Sequence, residues 1–317
     1  MLYKLLIVVV MLGVSALASF VDNVQSEPPA TLAVAYMPAP LNAPAILEKQ
    51  RGVFEQAFAQ EDIAVSYPEM ATGQQLVAAL RAGTVQFAHG LDAASFVTAA
   101  ASGMDVKVIG VCSRAPQALV LLAQNPAIQK LEDARGMAVA LPDDVSLQRL
   151  FAAALAEKKL RADELQVRHM SVNAGIDALR KGEVALTLAS GPDALRAIQG
   201  GARVLLSGEG LVDGLELSVV TGEFLENHPM LVKRFMAAHR DTIEYMVENP
   251  PRAQERVAQE RGMNEEDVHM LLPWYNYDFT VHDADMEELK HLQAFLQAAG
   301  TIQKPVDVNA LLADVAR

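Results

Sequence analysis

The chain has 317 residues, 51% hydrophobic and 21% charged, so it is long enough for one or two globular domains with substantial cores. Its net charge of −13 and the lack of a Lys/Arg cluster exclude the basic surface that nucleic-acid binding requires. One cysteine, Cys112, excludes an intramolecular disulfide and any zinc or redox site built on paired cysteines, and its apolar neighbours predict an inert buried thiol.

Residues 1–18 have the order of a secretory signal peptide. Lys4 precedes an apolar run that starts at Leu5, and the sequence ALA ends at Ala18. The run is shorter than the ~20 residues that span a bilayer, so we expect cleavage after Ala18, with an uncleaved anchor as the alternative. The mature chain is then expected in the periplasm, without a supply of ATP or NADH, so no cofactor is expected.

From Thr31 onward, strands and helices alternate. The predicted strands lie at 31–37, 63–70, 85–90, 106–112, 118–123, 137–142, 164–170, 184–190, 203–206 and 215–224. The predicted helices lie at 43–58, 72–83, 92–103, 144–160, 173–182 and 192–201, and a helical tail covers 226–250, 251–262, 264–276 and 284–300. This alternation predicts mostly parallel sheets with helices on their faces.

One phrase occurs twice, as "ALRAGTVQFAHG" from Ala79 and "ALRKGEVALTLAS" from Ala178. Each copy predicts the end of a helix, a glycine stop and a short buried strand. Two explanations are open: a pattern common to all α/β proteins, or two similar lobes. The order of elements favours two lobes, with a return crossing near residues 208–214.

No tract rich in Pro, Gly or Ser separates these units, so we expect closely packed lobes without a flexible tether. The predicted first lobe is discontinuous and comprises 30–114 and 214–317. The predicted second lobe comprises 115–213.

Four segments carry a resemblance to a known family: "TGQQLVAALRAGTVQFAHG", "RAPQALVLLAQNPAIQKLEDARGMAVALP", "ENHPMLVKRFMAAHRDTIEYMVENP" and "YNYDFTVHDADMEELKHLQAFLQAAGTIQKPVDV". Over about residues 31–312 the chain resembles extracytoplasmic solute-binding proteins of ABC transporters. The nearest group includes the alkanesulfonate-, taurine- and nitrate-binding proteins and their pyrimidine-precursor relatives. The resemblance implies the type II periplasmic binding protein fold: two α/β lobes, a hinge and a ligand cleft that closes on the solute.

The resemblance also implies a role. We expect a monomeric receptor, not an enzyme, that captures a small organic molecule and delivers it to the permease and ATPase subunits of an importer. The alternatives are an enzyme of the same two-lobed fold, of the pyrimidine-precursor type, and a ligand-sensing partner of a membrane signalling protein. The sequence leaves the identity of the ligand open.

One departure from the family pattern concerns ligand charge. Where relatives often carry a small turn that opens a helix, this chain has "PDDVS", with Asp143 and Asp144. A bare helix N-terminus attracts anions, whereas carboxylates at that position cap the helix themselves and repel anions. Sulfonate and nitrate are therefore in doubt, and a neutral or zwitterionic solute is expected.

The candidate ligand-binding residues follow the carboxyl ends of the predicted strands, where ligands bind in such sheets. They are Asn42, Thr72, Gly73, Asp92, Ala93, Arg114, Asp143, Ser146, Asn173, Ser190 and Glu216. Asp92 is a candidate acceptor for a ligand N–H, and Arg114 is a candidate clamp for an acidic end of the ligand. The alternative is an ordinary helix cap for Thr72, Asp92, Ser146 and Ser190. For Arg114 the alternative is a salt bridge that is either solvated or bridges the two lobes.

The remaining side chains of interest favour structural interpretations. Trp274 and Tyr275 are expected to bury a tail helix, with stacking on a flat ligand as the alternative. His269 and His282 form a weak pair, and the sequence has no HExxH, so no metal site is expected. No P-loop or GxSxG motif occurs, and no catalytic group of residues is expected.

Overall fold

The computed structural model describes residues 27–38 and 41–316. Within them, ten strands form two five-stranded sheets. The strands are β1 Thr31–Tyr36, β2 Ala64–Ser66, β3 Phe87–Asp92, β4 Val106–Arg114, β5 Leu119–Ala123, β6 Ala138–Leu141, β7 Gln166–His169, β8 Leu186–Ser190, β9 Arg203–Ser207 and β10 Leu215–Thr221. The predicted signal peptide lies outside the described residues, and none of the helices within them is both long and apolar enough to cross a membrane.

The two sheets have equivalent strand orders, β2-β1-β3-β10-β4 and β7-β6-β8-β5-β9. In the first sheet, β1 pairs in parallel with β2 and β3, and β10 is antiparallel to β3 and β4. In the second, β6 pairs in parallel with β7 and β8, and β5 is antiparallel to β8 and β9. Four strands of each sheet run in one direction, and one strand, β10 or β5, runs against them. The expectation of mostly parallel sheets is therefore confirmed, with one antiparallel strand in each sheet, because β10 and β5 enter from the other lobe.

Helices cover the faces of both sheets. They are α1 Ala43–Arg51, α2 Val53–Ala57, α3 Gly73–Arg81, α4 Ala93–Ala101, α5 Val145–Glu157, α6 Val172–Lys181, α7 Gly191–Gln199, α8 Gly222–Asn227, α9 Pro229–Glu248, α10 Pro250–Arg261, α11 Glu265–Leu271 and α12 Asp283–Ala298. The single helix predicted at 43–58 is two helices, because Gly52 between them adopts the left-handed conformation with φ of 60°. The predicted strand at 63–70 is shorter, Ala64–Ser66.

The doubled phrase occupies equivalent positions in the two lobes. Gly83 and Gly182 follow α3 and α6 with φ of 68° and 72°, so both are left-handed stops. The strands that come next, β3 and β8, each lie at the centre of a sheet. The prediction of two similar α/β lobes is confirmed.

Each sheet carries a hydrophobic core on both faces. In the first lobe, stacked aromatic rings fill the face under α2 and α9, where the ring centroid of Phe235 lies 4.6 Å from that of Phe54 and 4.3 Å from that of Phe87. The opposite face packs against α3, α4 and α12. In the second lobe, the two faces pack against α5 and against α6 with α7. The layers hold the carboxyl ends of the strands towards the junction of the lobes.

Two chain crossings join the lobes, residues 115–118 between β4 and β5 and residues 208–214 between β9 and β10. They are bonded to each other, since the Ala115 N–H donates to the Asp213 carbonyl at 2.8 Å and the Gly208 N–H donates to the Pro116 carbonyl at 2.8 Å. The crossings therefore form a two-stranded connection beside the cleft. The exact lobe boundaries taken from the sequence stay a prediction.

An ion pair also bridges the lobes. Arg149 on α5 contacts Glu288 on α12 at 2.6 Å, and their side chains are only 11% and 8% exposed. Glu288 also accepts the backbone N–H of Asp213 in the second crossing at 3.2 Å. One carboxylate thus contacts both the helix of the second lobe and the connection between the lobes.

Candidate ligand-binding site

A cavity of about 410 Å³ lies where the two lobes meet. Among the predicted site residues, its lining includes Thr72, Gly73, Asp92, Asp143, Ser146, Ser190 and Glu216. The structure therefore brings together predicted residues from both lobes. Whether they contact a ligand stays a prediction.

Four helices begin at this cavity. Thr72, Asp92 and Asp144 precede α3, α4 and α5, and each side chain accepts the backbone N–H three residues further on, at 3.2, 2.8 and 2.9 Å. Ser190 precedes α7 without a side-chain capping bond. The capping interpretation of Thr72 and Asp92 thus holds alongside their position in the cavity, whereas α5 is capped by Asp144 and not by Ser146.

The starts of α3 and α4 contact each other closely. A Cβ atom added at Gly73 would lie 2.0 Å from Asp92 Oδ2 and 2.3 Å from Ser95 Oγ. Real side chains do not approach so closely, so glycine is required for this geometry. Gly73 is therefore a packing requirement that positions Asp92 and Ser95 in the cavity wall.

The cavity is acidic. Asp92, Asp143, Asp144 and Glu216 line it, and none of the lining residues that the structure describes is Lys, Arg or His. Burial raises the pKa of Asp144, and the nearby charge of Asp92 raises it further. Asp143 differs from the others, since its side chain is 90% exposed and faces His169 at 3.5 Å.

Glu216 is the most perturbed carboxyl group of the cavity. Burial raises its pKa to about 8, and the charge of Asp92 adds to the shift. The Ser113 hydroxyl donates to Glu216 Oε2 at 3.2 Å and opposes the shift in part. At neutral pH this group therefore carries a proton and can donate a hydrogen bond into the cavity.

Arg114 is not part of the cavity, contrary to the prediction. Its guanidinium donates to both carboxylate oxygens of Asp285, at 2.7 and 2.6 Å, and to the carbonyl oxygens of Asp278 and Thr280. These partners all lie in the C-terminal part of the chain, after β10. Arg114 thus forms a largely buried salt bridge within the first lobe, neither solvated nor between the lobes as the alternative interpretation had it, and it is not placed to clamp a ligand.

Three other predicted residues lie outside the cavity lining. Asn42 is buried, where it accepts the Ala45 N–H at 3.2 Å and donates to the His89 carbonyl at 3.3 Å. Ala93 is buried behind Asp92 in the first turn of α4. Asn173 is exposed on α6 and accepts a hydrogen bond from Arg196.

The two aromatic residues of the tail are also outside the cavity. Tyr275 is buried in a core formed with α1, α10 and α11, and Trp274 packs at the edge of that core and of the second-lobe core. This is the structural interpretation expected from the sequence.

The structure adds cavity residues that the sequence analysis missed. Ser95 lies three positions after the Asp92 cap, and Gln74 follows Gly73 in the first turn of α3. Both lie in the first turn of a helix whose cap was already a candidate, so their positions in the sequence could have indicated that they line the cavity. Met37 and Val145 supply apolar contacts for which the sequence offered no comparable signal.

A buried ionisable cluster lies where α1 and α9 pack against the central strand β3 of the first sheet. It consists of Glu48 on α1, His89 on β3 and His239 on α9. Glu48 contacts His239 Nδ1 at 2.6 Å and His89 Nε2 at 3.2 Å, and all three residues have no exposed surface. On its other side, His89 Nδ1 contacts Ser218 Oγ at 2.6 Å and Cys112 Sγ at 3.0 Å. Cys112 is buried, as expected from the sequence.

Charge in this cluster is internally balanced. The two histidines lower the pKa of Glu48 to about 2 despite its burial, and the contacts with Cys112 and Glu48 raise the pKa of His89. Burial lowers the pKa of His239. The carboxylate and imidazole atoms of these side chains that could coordinate a metal ion lie within 4.8 Å of one another. Two histidines and a glutamate are a set of ligands that zinc binds. Their contacts with each other already describe an ion pair of Glu48 with His89 and a neutral His239.

The sequence matches a known protein family. The family model described as NMT1/THI5 like matches residues 40–253. The chain belongs to the NMT1/THI5-like family. Relatives include a Bacillus subtilis (strain 168) protein provisionally named as an aliphatic sulfonates-binding protein, 24% identical over 233 residues, which are 73% of this chain and 70% of the relative. The taurine-binding periplasmic protein of Escherichia coli (strain K12) is 25% identical over 234 residues, which are 70% of this chain and 72% of the relative.

A solved structure shows the same fold. The periplasmic aliphatic sulphonate binding protein SsuA from Escherichia coli superposes with a TM-score of 0.82 at 20% identity, covering 90% of this chain and 93% of that protein. The resemblance to solute-binding proteins that the sequence indicated is therefore confirmed, as is the two-lobed fold. The acidic lining of the cavity in this chain does not favour an anionic ligand such as the sulfonates in the names of these relatives.

Proposed function

We propose that this member of the NMT1/THI5-like family is the extracytoplasmic receptor of an ABC importer. It captures a small organic solute between its lobes and delivers the solute to a membrane permease and its ATPase. The observation that carries the proposal is the cavity of about 410 Å³ lined from both lobes beside the two crossings. Rotation of the lobes about the crossings encloses a solute on both sides. The binding functions named for the two relatives, one of which is named as periplasmic, support the same role. Export by the N-terminal segment is part of the proposal.

The charge of the cavity selects the solute. Two unit charges 4 Å apart interact by ~4 kcal/mol at an effective dielectric constant near 20, so a misplaced carboxylate outweighs several neutral hydrogen bonds. The described lining contains carboxylates and no cationic side chain, so we propose a neutral, zwitterionic or cationic solute with at least one N–H donor, which Asp92 and Asp144 accept. Simple alkanesulfonates and nitrate have no such donor, and we expect them to bind poorly.

An acidic end of a zwitterion needs a different anchor now that Arg114 is engaged elsewhere. Ser190 precedes α7, and its hydroxyl makes no hydrogen bond with the described residues, in line with the missing capping bond. No described side chain caps the start of α7, so the positive end of its helix dipole favours a negative group, although Pro192 supplies no N–H there and Asp193 adds a negative charge to the first turn. Ser190 and the start of α7 are the proposed partner of such an end.

An enzyme of the same fold is the weaker candidate. The described lining of the cavity contains no His, Lys or Cys to act as nucleophile or base. His89 and Cys112 do contact each other, but both are buried in the sheet with at most 1% of their surface exposed. A small molecule bound in the cavity does not reach them.

Two measurements test the ligand. Native mass spectrometry of protein purified without denaturation identifies any retained solute. Calorimetric titration with taurine, ethanesulfonate, nitrate, amino acids and pyrimidine precursors then ranks the chemical classes. We expect binding by compounds that carry an amine or another N–H donor. Submicromolar binding of ethanesulfonate contradicts the proposed charge selection.

A third measurement tests the transport role. The loaded protein is added to a reconstituted ABC permease and ATPase from the same organism, and ATP hydrolysis is measured. Stimulation by loaded but not by solute-free protein supports the importer. Unchanged hydrolysis, with solute binding intact, contradicts transport and favours the sensing role.

A further inference from the structure

A second and larger cavity, of about 620 Å³, opens beside the ligand cavity. It is a groove between α3 and α4, here called the tail groove. The two cavities share four lining residues, Gln74, Asp92, Ser95 and Val145. The two cavities therefore adjoin at these residues, with the carboxylates on the side of the ligand cavity.

Half of the residues that line the tail groove have apolar side chains, and most of these are small. Val77, Ala78 and Ala82 come from α3, and Ala94 and Ala99 come from α4. These spacings place each set on one face of its helix. Serine and threonine hydroxyl groups share the α4 wall with these alanines, so the α3 wall is the more apolar of the two.

Polar groups mark the two ends of the tail groove. Asp92 lies at the end that opens into the ligand cavity. At the far end, Arg81 donates to the Ser102 hydroxyl at 3.1 Å. The seven helical steps from Gln74 to Arg81 rise about 10 Å, which sets the length available to an apolar chain.

We propose that the solute is an amphipathic amine, with its amino group among Asp92, Asp144 and Glu216 and its hydrocarbon chain in the tail groove. The inference rests on the proposed receptor function and deepens it, because it names the class of solute. Val145 belongs to the second lobe and borders both cavities. Closure of the lobes therefore covers the junction of head and chain in one movement. Each methylene that the groove buries raises affinity by up to about fourfold.

The test is calorimetric titration with propylamine, hexylamine and nonylamine. It compares the wild-type chain, Ala78→Phe and the control Ala152→Phe. Ala78 is exposed on the wall of the tail groove, so a phenyl ring there occupies the groove without entering the core. Ala152 is exposed on α5 and lines neither cavity, so its variant controls for added apolar surface.

We expect the affinity of the wild type and of Ala152→Phe to rise by about tenfold or more from propylamine to hexylamine. In Ala78→Phe this rise is lost, so hexylamine binds no more tightly than propylamine. Equal binding of short and long amines, or an unchanged rise in Ala78→Phe, overturns the tail groove and leaves the receptor function standing. If hexanesulfonate binds and no amine does, both this proposal and the proposed charge selection are wrong.

Discussion

At the scale of single residues, the electrostatics of the cavity depend most on Glu216. Its carboxyl group is buried in the native state with a pKa raised from 4.5 to about 8. Between these two values the unfolded chain is ionised there and the native chain is protonated. The native state therefore binds more protons, and its stability falls as the pH rises through this window.

Replacement of Glu216 by Gln removes this dependence while keeping the size of the side chain. We expect the free energy of unfolding of the wild type, relative to Glu216→Gln, to fall by about 1.4 kcal/mol per pH unit from about pH 5 to pH 8. Urea unfolding at several pH values measures it. Glu223→Gln, at an exposed position, is the control. Parallel stability curves for the wild type and Glu216→Gln contradict the assignment.

Residue roles were only partly predictable from the sequence. The caps at Thr72 and Asp92 were found because capping is local and depends on the next three residues. The salt bridge of Arg114 could not be predicted from the sequence, because its carboxylate partner Asp285 lies 171 residues further along the chain. The cluster of Glu48, His89 and His239 was missed for the same reason, since its members come from three distant segments.

At the scale of secondary-structure elements, the starts of α3 and α4 act as one unit. Gly73 allows the contact, and Asp92 and Ser95 occupy the space that a side chain at Gly73 would need. The alternation of strands and helices was readable from hydrophobic patterns. The break at Gly52 was not, because a glycine within a helical pattern fits either a continuous helix or a left-handed stop.

The substitution Gly73→Ala has two opposing effects on the free energy of unfolding. Alanine favours a helix by up to about 1 kcal/mol over glycine, which on its own predicts a more stable protein. Because the added Cβ displaces the Asp92 cap and Ser95, we expect instead a loss of about 1–2 kcal/mol in the free energy of unfolding.

Chemical denaturation of Gly73→Ala measures the balance. The control is Gly300→Asn, where an added Cβ meets open space and the φ of 73° is one that asparagine tolerates. We expect the control to lie within about 0.5 kcal/mol of the wild type. A stabilised Gly73→Ala would show that the starts of α3 and α4 can move apart freely.

At the scale of the whole molecule, the relative position of the lobes depends on more than the two crossings. Arg149 and Glu288 form a largely buried pair between α5 and α12. Removal of one partner of such a pair leaves an uncompensated charge, which favours exposure of that charge to water. The solute-free protein then shifts towards a more open arrangement.

We expect Arg149→Ala to have a larger radius of gyration than the wild type without solute, and a bound solute to reduce the radius in both. Small-angle scattering measures the change. Arg161→Ala removes an exposed arginine that pairs with Asp163 within the second lobe, and it is the control. Equal radii for all three proteins mean that the pair does not set the opening. Equal radii with and without a bound solute contradict closure.

The position of β10 has a consequence for how the chain reaches its native state. This strand lies between β3 and β4, yet it is made after the whole second sheet, whose strands run without interruption from Leu119 to Ser207. A chain that emerges from its amino end therefore completes the second sheet first. Until Thr221 has emerged, the first sheet consists of two fragments with unpaired edges, and such edges bind chaperones or other chains. The topology thus delays folding of the first lobe, and pairing of the late strand β10 with β3 and β4 is the step that completes the native structure.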